Sequence, residues 1–185
     1  MIKEQKINKF LKDLSSSMPT PGGGSAAAFV GAIGASLVEM VANLTIGRKG
    51  YEKSIKEVKE IKIIAVKNKN KLINLADKDS KAFKDVVLVF KLPKGSKRDI
   101  AMQKALKKAT LIPLETALSS SEVVRLAKEM VKIGNKNAKS DATSALHFAK
   151  ASALSALENV KINLDLIKDN NWKIKIEKEI NKINI

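Results

Sequence analysis

The sequence of 185 residues contains no cysteine, a single histidine, few prolines and only 4% aromatic residues. Without cysteine, neither a disulfide framework nor a thiolate zinc site can form, and His147 alone argues against a zinc site of histidine and carboxylate. Since 44% of the chain is nevertheless hydrophobic, we expect a core of alanine, leucine, isoleucine and valine, as helical bundles have. The length suits one domain covering residues 1–185.

Arginine is also scarce, although the formal net charge is +16. Arg48, Arg98 and Arg125 are the only arginines, and all other cationic side chains are lysines apart from the histidine. Proteins that read nucleic acids rely on arginine forks and stacking aromatics, so we expect no nucleic-acid partner. The charge is explained either by solvated lysine-rich faces or by attraction of a polyanionic small molecule.

The amino terminus has no apolar signal core, because MIKEQKINKFLKDL is charged throughout. This predicts an unprocessed protein of the cytoplasm. Residues 25–46 are apolar and long enough to span a membrane, but they include Ser36, Glu39 and Asn43 at spacings that share one helical face. We therefore expect no membrane partner and a buried helix whose polar stripe needs partners, either in a ligand cleft or in a structural network.

Helical periodicity through nearly the whole chain predicts an all-α fold, a multihelical bundle of long, partly kinked antiparallel helices. Gly47, Leu92–Gly95 and Gly134 separate helices, and Pro113 is expected to bend the longest one. Ser140 is expected to cap the last strongly predicted helix. The tail from residue 163 to 185 favours helix over strand. The predicted helices cover residues 2–14, 25–46, 51–74, 76–90, 96–133 and 140–159.

The most unusual segment is the proline- and glycine-rich stretch that precedes the apolar helix. Its glycines allow close backbone approach to another group. Ser25 stands where a helix N-cap is expected, so the free N–H groups of the helix start would face the loop and could hold an anion. Neither a P-loop lysine nor a preceding strand is present, which excludes the usual nucleotide motifs. The candidate ligand-binding residues are Pro21, Gly22, Gly23, Gly24 and Ser25.

These residues resemble the cyclodeaminase/cyclohydrolase family, which includes the cyclodeaminase domain of formiminotransferase-cyclodeaminase and free-standing methenyltetrahydrofolate cyclohydrolases. Co-linear matches extend over nearly the whole chain, and the proline–glycine block is the most specific of them. The matching segments are Pro19–Ala27, Met40–Thr45 with Gly47–Lys49, Leu75–Asp77 with Asp79 and Ala82–Phe83, Leu92–Lys94, Ala109–Thr110 with Pro113–Leu114, Gly134–Asn135 with Asn137, Ser140–Ala142, and Asn159–Leu164.

The resemblance implies an all-helical homodimer with folate sites near the subunit interface, and no metal or tightly bound cofactor. The substrate would be a tetrahydrofolate derivative, with or without a polyglutamate tail. The cyclohydrolase opens 5,10-methenyltetrahydrofolate to 10-formyltetrahydrofolate, whereas the cyclodeaminase closes 5-formiminotetrahydrofolate and releases ammonia. Because the sequence has no formiminotransferase domain, we expect the cyclohydrolase. A non-catalytic folate-binding or scaffold protein is the further alternative. It stays open because Arg48-Lys49-Gly50 departs from the family pattern, in which another basic or polar residue is expected before Tyr51.

Both reactions need an acid or base at the one-carbon unit and cations for the glutamate carboxylates. Asp141 is the first candidate for the base, although an aspartate in a first helical turn also stabilises that helix end. Lys49 is the second catalytic candidate. Asn43, Arg48 and Lys161 are further candidates for substrate binding. Four other polar residues are expected to be structural or solvated: Asp77, Asp79, Glu115 and His147.

Overall fold

The computed structural model describes all 185 residues and contains helices and turns but no strand. Short 3₁₀ turns at Ile2–Glu4, Glu52–Ser54 and Lys136–Ala138 precede α1, α3 and α5. The predicted all-α fold is therefore confirmed. The six helices are α1 (Ile7–Leu14), α2 (Gly23–Thr45), α3 (Ile55–Phe90), α4 (Ser96–Ile133), α5 (Lys139–Asp165) and α6 (Asn170–Ile180).

Helices α2 to α5 form an antiparallel bundle in which each helix packs against its neighbours along the chain and α2 also packs against α5. Along each of these pairs of helices, residue numbers rise in one helix while those of the contacting residues fall in the other. In α2 and α3, Ser25 bonds Asp79 while Glu39 pairs with Lys69 at 2.6 Å. Short connections between long helices favour this arrangement. The α1 helix closes one side, where the Phe10 and Phe29 rings stack with centroids 4.9 Å apart.

Small residues bring α2 and α5 close together. A Cβ at Gly34 would lie 3.1 Å from the Ala145 carbonyl oxygen, so the two backbones nearly touch. The facing side of α5 is fully buried and consists of alanine at helical spacing, which adds helix propensity without bulk. Its residues are Ala142, Ala145, Ala149, Ala153 and Ala156.

Gly31 leaves room at the centre of the bundle for two serine hydroxyls. Ser120 Oγ and Ser152 Oγ lie 2.7 Å apart, and Ser152 also donates to the Ala27 carbonyl at 2.6 Å. A Cβ at Gly31 would lie 2.6 Å from Ser152 Oγ and 2.7 Å from Ser120 Oγ. This buried polar group is thus packed without spare volume.

We expect Gly31→Ala to lower the free energy of unfolding by about 1–3 kcal/mol, because overpacking forces the serines or the backbone to move. Urea denaturation followed by circular dichroism measures the change. Ser15→Ala at the end of α1 is the control, since its exposed hydroxyl bonds only the Lys12 carbonyl one turn before it. Equal midpoints for Gly31→Ala and the wild type would show that the bundle centre is not tightly packed.

Helix α3 corrects the prediction of two separate helices at residues 51–74 and 76–90. It runs without interruption from Ile55 to Phe90. No glycine or proline lies in this stretch, and the buried residues Leu72, Leu75 and Ala76 continue the apolar spacing across the predicted break. By contrast, α4 has the predicted limits and continues through Pro113.

Three predicted helix starts are also wrong. Residues 2–14 do not form one helix, because Ile2–Glu4 is a 3₁₀ turn and Asp77 Oδ1 accepts the Ile2 N–H. Helix α2 begins at Gly23 with Gly22 as N-cap, so Ser25 lies inside the first turn. Ser140 is not a cap either, because the 3₁₀ turn before α5 already orders this segment and α5 begins at Lys139.

The polar stripe of α2 is not buried within the protomer, contrary to expectation. Ser36 and Asn43 are exposed, and Glu39 is half-buried in its ion pair with Lys69. Helix α2 has the length and apolar composition of a membrane span, yet just over half of its most apolar stretch is buried inside the bundle. A core helix of a bundle meets the same criteria as a membrane span.

Candidate functional site

A cleft of about 380 Å³ opens at the end of the bundle where α2 begins. The loop before α2 and the first turn of α2 form one wall, and α4 contributes Leu106 and Ala109. The other two walls are single faces of α3 and α5, each with side chains at the helical spacing i, i+3, i+4 and i+7. These are Asp79, Ala82, Phe83 and Val86 on α3, and Asn159, Ile162, Asn163 and Leu166 on α5.

Asp79 is the ionisable group of this cleft. Burial raises the pKa of its carboxyl above the usual value of 3.8, while hydrogen bonds from the side chain and backbone of Ser25 act in the opposite direction. Ser25 Oγ donates to Asp79 Oδ2 at 2.8 Å and lies 3.0 Å from Ser80 Oγ. A carboxyl group held in this way, with its pKa raised by burial, is a candidate to exchange a proton with a ligand.

The glycine block brings the backbone of α2 against this carboxyl group. A Cβ at Gly24 would lie 2.7 Å from Asp79 Cγ, so no larger residue fits without moving Asp79. Gly22 caps α2 without a side-chain hydrogen bond. The first N–H groups of a helix have no partner inside the helix, and they form a positive end. The cleft therefore combines backbone donors with one carboxyl group.

Pro113 and Asn163 link α4 to α5 beside the cleft. Proline has no N–H, so the Ala109 carbonyl loses the donor that an α-helix supplies four residues later. Asn163 Nδ2 donates to this carbonyl at 3.2 Å. The asparagine thus replaces the missing bond and is held in the cleft by it, with its Oδ1 left to accept from a ligand.

We expect Asn163→Ala to lower the free energy of unfolding by about 1 kcal/mol, because the Ala109 carbonyl loses its donor. In a Pro113→Ala background the loss should be smaller, since the restored backbone N–H at position 113 bonds the same carbonyl. A double-mutant cycle by urea denaturation measures this coupling. Additive effects would show that Asn163 does not compensate for the proline.

No three aspartate, glutamate or histidine side chains come close enough to hold a metal ion. Apart from Asp79, the cleft has amide groups, backbone donors and apolar walls. The walls suit a flat organic ligand, because ligand pockets are mostly apolar with a few converging polar groups. The arrangement provides one acid or base beside a positive helix end.

A family model described as formiminotransferase-cyclodeaminase matches residues 6–182. The chain belongs to this family. The resemblance predicted from the sequence motifs is confirmed, and the matched range includes every wall of the cleft.

Relatives in this family are of two kinds. The methenyltetrahydrofolate cyclohydrolase of Methylorubrum extorquens is 40% identical over 168 residues, which cover 88% of this chain and 81% of the relative. The formimidoyltransferase-cyclodeaminase of Dictyostelium discoideum is 35% identical and covers 96% of this chain, but the chain spans only 33% of that relative's length. The crystal structure of formiminotetrahydrofolate cyclodeaminase from Thermotoga maritima superposes with a TM-score of 0.91 at 31% identity, covering 98% of this chain and 89% of that one.

Part of the predicted ligand site lies at the cleft. Gly22, Gly23 and Gly24 line it, and Pro21 follows Thr20 through a cis peptide bond beside it. Ser25 is fully buried beneath the cleft and does not line it, but its hydroxyl donates to Asp79. Lys161 lies on α5 between cleft residues, but its exposed side chain pairs with Glu158 at 2.7 Å.

The other predicted site residues lie at the opposite end of the bundle. Asn43 is exposed near the end of α2, Arg48 and Lys49 are in the following loop, and Asp141 is in the first turn of α5. Helix α5 rises about 27 Å between Asp141 and Asn159. Within one protomer, these four residues do not reach the cleft.

The expectation that Asp79 is a solvated carboxylate is wrong, because its side chain is largely enclosed and accepts a hydrogen bond from Ser25. Asp77 is also half-buried and accepts the Ile2 N–H. His147 is exposed on α5, as expected. Glu115 lies 3.8 Å from Lys71 on the bundle surface.

Sequence reasoning missed Asn159 and Asn163 as site residues, along with the apolar wall between them. The signal was present in the spacing, because the α3 and α5 sets repeat the same i, i+3, i+4, i+7 pattern with polar and apolar residues on one face. Asp79, Phe83, Asn159 and Asn163 also fall within the co-linear family segments. Periodicity alone assigns such faces to the core, so only their convergence identifies a cleft.

Proposed function

We propose that this protein is a methenyltetrahydrofolate cyclohydrolase, which hydrolyses 5,10-methenyltetrahydrofolate to 10-formyltetrahydrofolate. The observation that carries the proposal is the 40% identity to the Methylorubrum extorquens cyclohydrolase over most of both chains. The cleft supports it with a carboxyl group at an apolar site of about 380 Å³. The reaction would use only the folate substrate and water, without a metal or a tightly bound cofactor.

The cleft offers separate surfaces for the parts of a folate. Phe83, Ile162 and Leu106 are apolar walls for the flat pterin and aminobenzoyl rings. Asn159 and Asn163 present amide groups to the hydrogen-bonding edge of a pterin. The methenyl substrate carries a positive charge on its one-carbon bridge, and the Asp79 carboxylate would attract it.

Asp79 would act as base and then as acid. Water attacks the methenyl carbon and gives one proton to the Asp79 carboxylate, which leaves a tetrahedral carbon bonded to hydroxyl, N5 and N10. Asp79 then protonates N5 as the carbon–N5 bond breaks, and the hydroxyl loses its proton as the formyl C=O forms on N10. One proton is released to solvent overall. The raised pKa of the Asp79 carboxyl suits it both to accept the first proton and to donate it to N5.

The second candidate is formiminotetrahydrofolate cyclodeaminase, because the structure with a TM-score of 0.91 carries that name. In that reaction N10 attacks the formimino carbon on N5 and ammonia leaves. The tetrahedral carbon occupies the same position relative to the pterin, so the same carboxyl group could transfer the protons. Substrate preference therefore decides between the two reactions.

The deciding experiment mixes purified protein with 5,10-methenyltetrahydrofolate and follows the loss of its near-ultraviolet absorbance against the spontaneous rate. Acceleration supports the cyclohydrolase. Absence of acceleration, with ammonia release from 5-formiminotetrahydrofolate, favours the cyclodeaminase. Binding of folate without either reaction leaves the non-catalytic alternative, and no binding contradicts all three.

The proposal includes a homodimer in which α2 contributes to the interface. Helix α2 exposes Ile33 by 45%, Met40 by 36% and Leu44 by 47% of their surfaces, at helical spacing on one side. Asn43 lies among them. An apolar stripe of this kind on a helix is typical of a contact between proteins. Sedimentation equilibrium of Ile33→Glu/Met40→Glu against wild type tests it, and a wild-type monomer would contradict the proposal.

A dimer would also allow Arg48, Lys49 and Asp141 to contact the substrate, if the end of one protomer opposite its own cleft meets the cleft of its partner. Mixing inactive Asp79→Asn and Lys49→Ala proteins would then restore part of the activity, because some mixed dimers contain one intact site. If no activity returns after the subunits have exchanged, these residues do not act at the partner's cleft. We place the protein in the cytoplasm without nucleic acid or membrane partners, and filter binding at physiological salt tests the nucleic-acid part.

A further inference from the structure

The cleft continues along α3 and α4 toward the end of α5. A second cavity of about 360 Å³ shares Val86, Leu106 and Leu166 with the cleft, so the two adjoin, and together they are called the groove. This second cavity ends at Arg98 and Lys168. Helix α3 rises about 16 Å from Asp79 to Phe90, which gives the approximate length of the groove.

The far end of the groove carries cations without acidic partners. Arg98 lies over the Phe90 ring, 5.0 Å from its centroid, and makes no ion pair. Lys168 also lacks an ion pair, whereas Lys107 is paired with Asp169 at 2.6 Å. Lys104, which is unpaired as well, lies just outside the groove in a surface hollow that Lys168 also lines. One carboxylate, Asp99, lies among them. The three free cations leave this end positive.

Hydrogen bonds with Gln103 hold the backbone at Lys168 in place. Gln103 Nε2 donates to the Leu166 carbonyl at 3.1 Å, and Gln103 Oε1 accepts the Lys168 N–H at 2.8 Å. This pair ties the turn after α5 to α4. The Arg98 guanidinium lies over the Phe90 ring, and its N–H groups remain free for a carboxylate.

We propose that Arg98 and Lys168, with Lys104 beside them, bind the glutamate carboxylates of the folate whose one-carbon unit lies at Asp79. The inference rests on the proposed function and adds a specificity site to it. A folate has a pterin at one end, an aromatic ring in the middle and carboxylates at the other end. The groove has the same order: amides and Asp79, then Val86 and Leu106, then cations.

The test compares Arg98→Glu/Lys168→Glu with wild type on 5,10-methenyltetrahydrofolate and on 5,10-methenyltetrahydropteroate, which lacks the glutamate. We expect KM for the folate to rise about tenfold, because two attractive pairs become repulsive. KM for the pteroate and both kcat values should stay near those of the wild type. The control Lys56→Glu/Lys59→Glu makes the same charge change in exposed residues at the start of α3.

An equal rise of KM for both substrates, or for both double variants, would overturn the specificity site. If the wild type turns over neither the folate nor the pteroate, the proposed function fails. A direct binding measurement then tests whether the groove holds glutamate carboxylates. Titration calorimetry with p-aminobenzoylglutamate should then show binding to wild type that is lost in Arg98→Glu/Lys168→Glu. Absence of binding to wild type, or binding unchanged in that variant, would overturn the inference.

Discussion

Replacing Asp79 by asparagine should lower kcat by about 10²–10⁴-fold, the range expected when a positioned acid or base is removed. The amide keeps the shape of the side chain, and its oxygen still accepts from Ser25. It cannot take a proton from water or give one to N5. Loss of methenyl absorbance, corrected for the spontaneous rate, measures the effect.

Asp165→Asn is the matched control, because this aspartate is exposed on α5 and has no ion pair. It changes the same charge on a helix that forms the cleft without facing the substrate. Asp141→Asn is the competing variant. A large loss in Asp141→Asn together with a normal Asp79→Asn would identify Asp141 as the base.

Activity should also depend on pH in the direction that Asp79 dictates. The base must be ionised to accept a proton from water, so kcat/KM should fall as the pH is lowered through the pKa of Asp79. Because burial raises that pKa, the fall should be centred above 3.8, the usual aspartate value. The same profile measured for Asp79→Asn should lack this limb.

The contribution of Asp79 to the stability of the fold should fall as the pH rises, whereas its contribution to activity should increase. The folded protein binds the Asp79 proton more tightly than the unfolded chain, since its pKa is raised on folding. The contribution of Asp79 is therefore most favourable below its unfolded pKa and is lost as pH rises through the folded pKa. Asp79→Asn should unfold at a higher urea concentration than wild type at neutral pH. A lower midpoint at neutral pH would indicate that the carboxylate stabilises the fold.

Gly24→Ala should lower kcat/KM by about 10²-fold, because its methyl group needs the space of the Asp79 carboxyl group. A displacement near 1 Å at a catalytic group can cost that much. The helix itself should persist, since alanine favours helix over glycine by roughly 0.8–1 kcal/mol. Circular dichroism checks the fold, and the methenyl assay measures the activity.

Gly23→Ala is the comparison that isolates the clash. Its methyl group would lie 3.7 Å from Asn159 Nδ2, an ordinary contact in the same cleft. We expect its loss to be about tenfold smaller than that of Gly24→Ala. Similar losses in both variants would mean that the glycines serve a general need for backbone approach to the ligand, and not the position of Asp79.

The sequence by itself determined the fold class, the family and one wall of the cleft. Helical spacing without strand signals predicts the bundle, and it succeeds because each helix carries its own apolar face. The proline–glycine block marks the start of α2, and within it Gly24 is the position that a larger residue could not occupy without moving Asp79. The first-turn position of Ser25 is less apparent, since a serine after glycines also has the character of an N-cap.

Only the tertiary structure decided which carboxylate belongs to the cleft. Sequence position favoured Asp141 over Asp77 and Asp79, whereas the order is set by what packs around each carboxylate. Antiparallel packing brings the second half of α3 against the start of α2, so Asp79 meets Gly24 and Ser25. It places the start of α5, with Asp141, at the other end of the bundle. Burial and convergence come from residues distant in sequence, and no local pattern contains them.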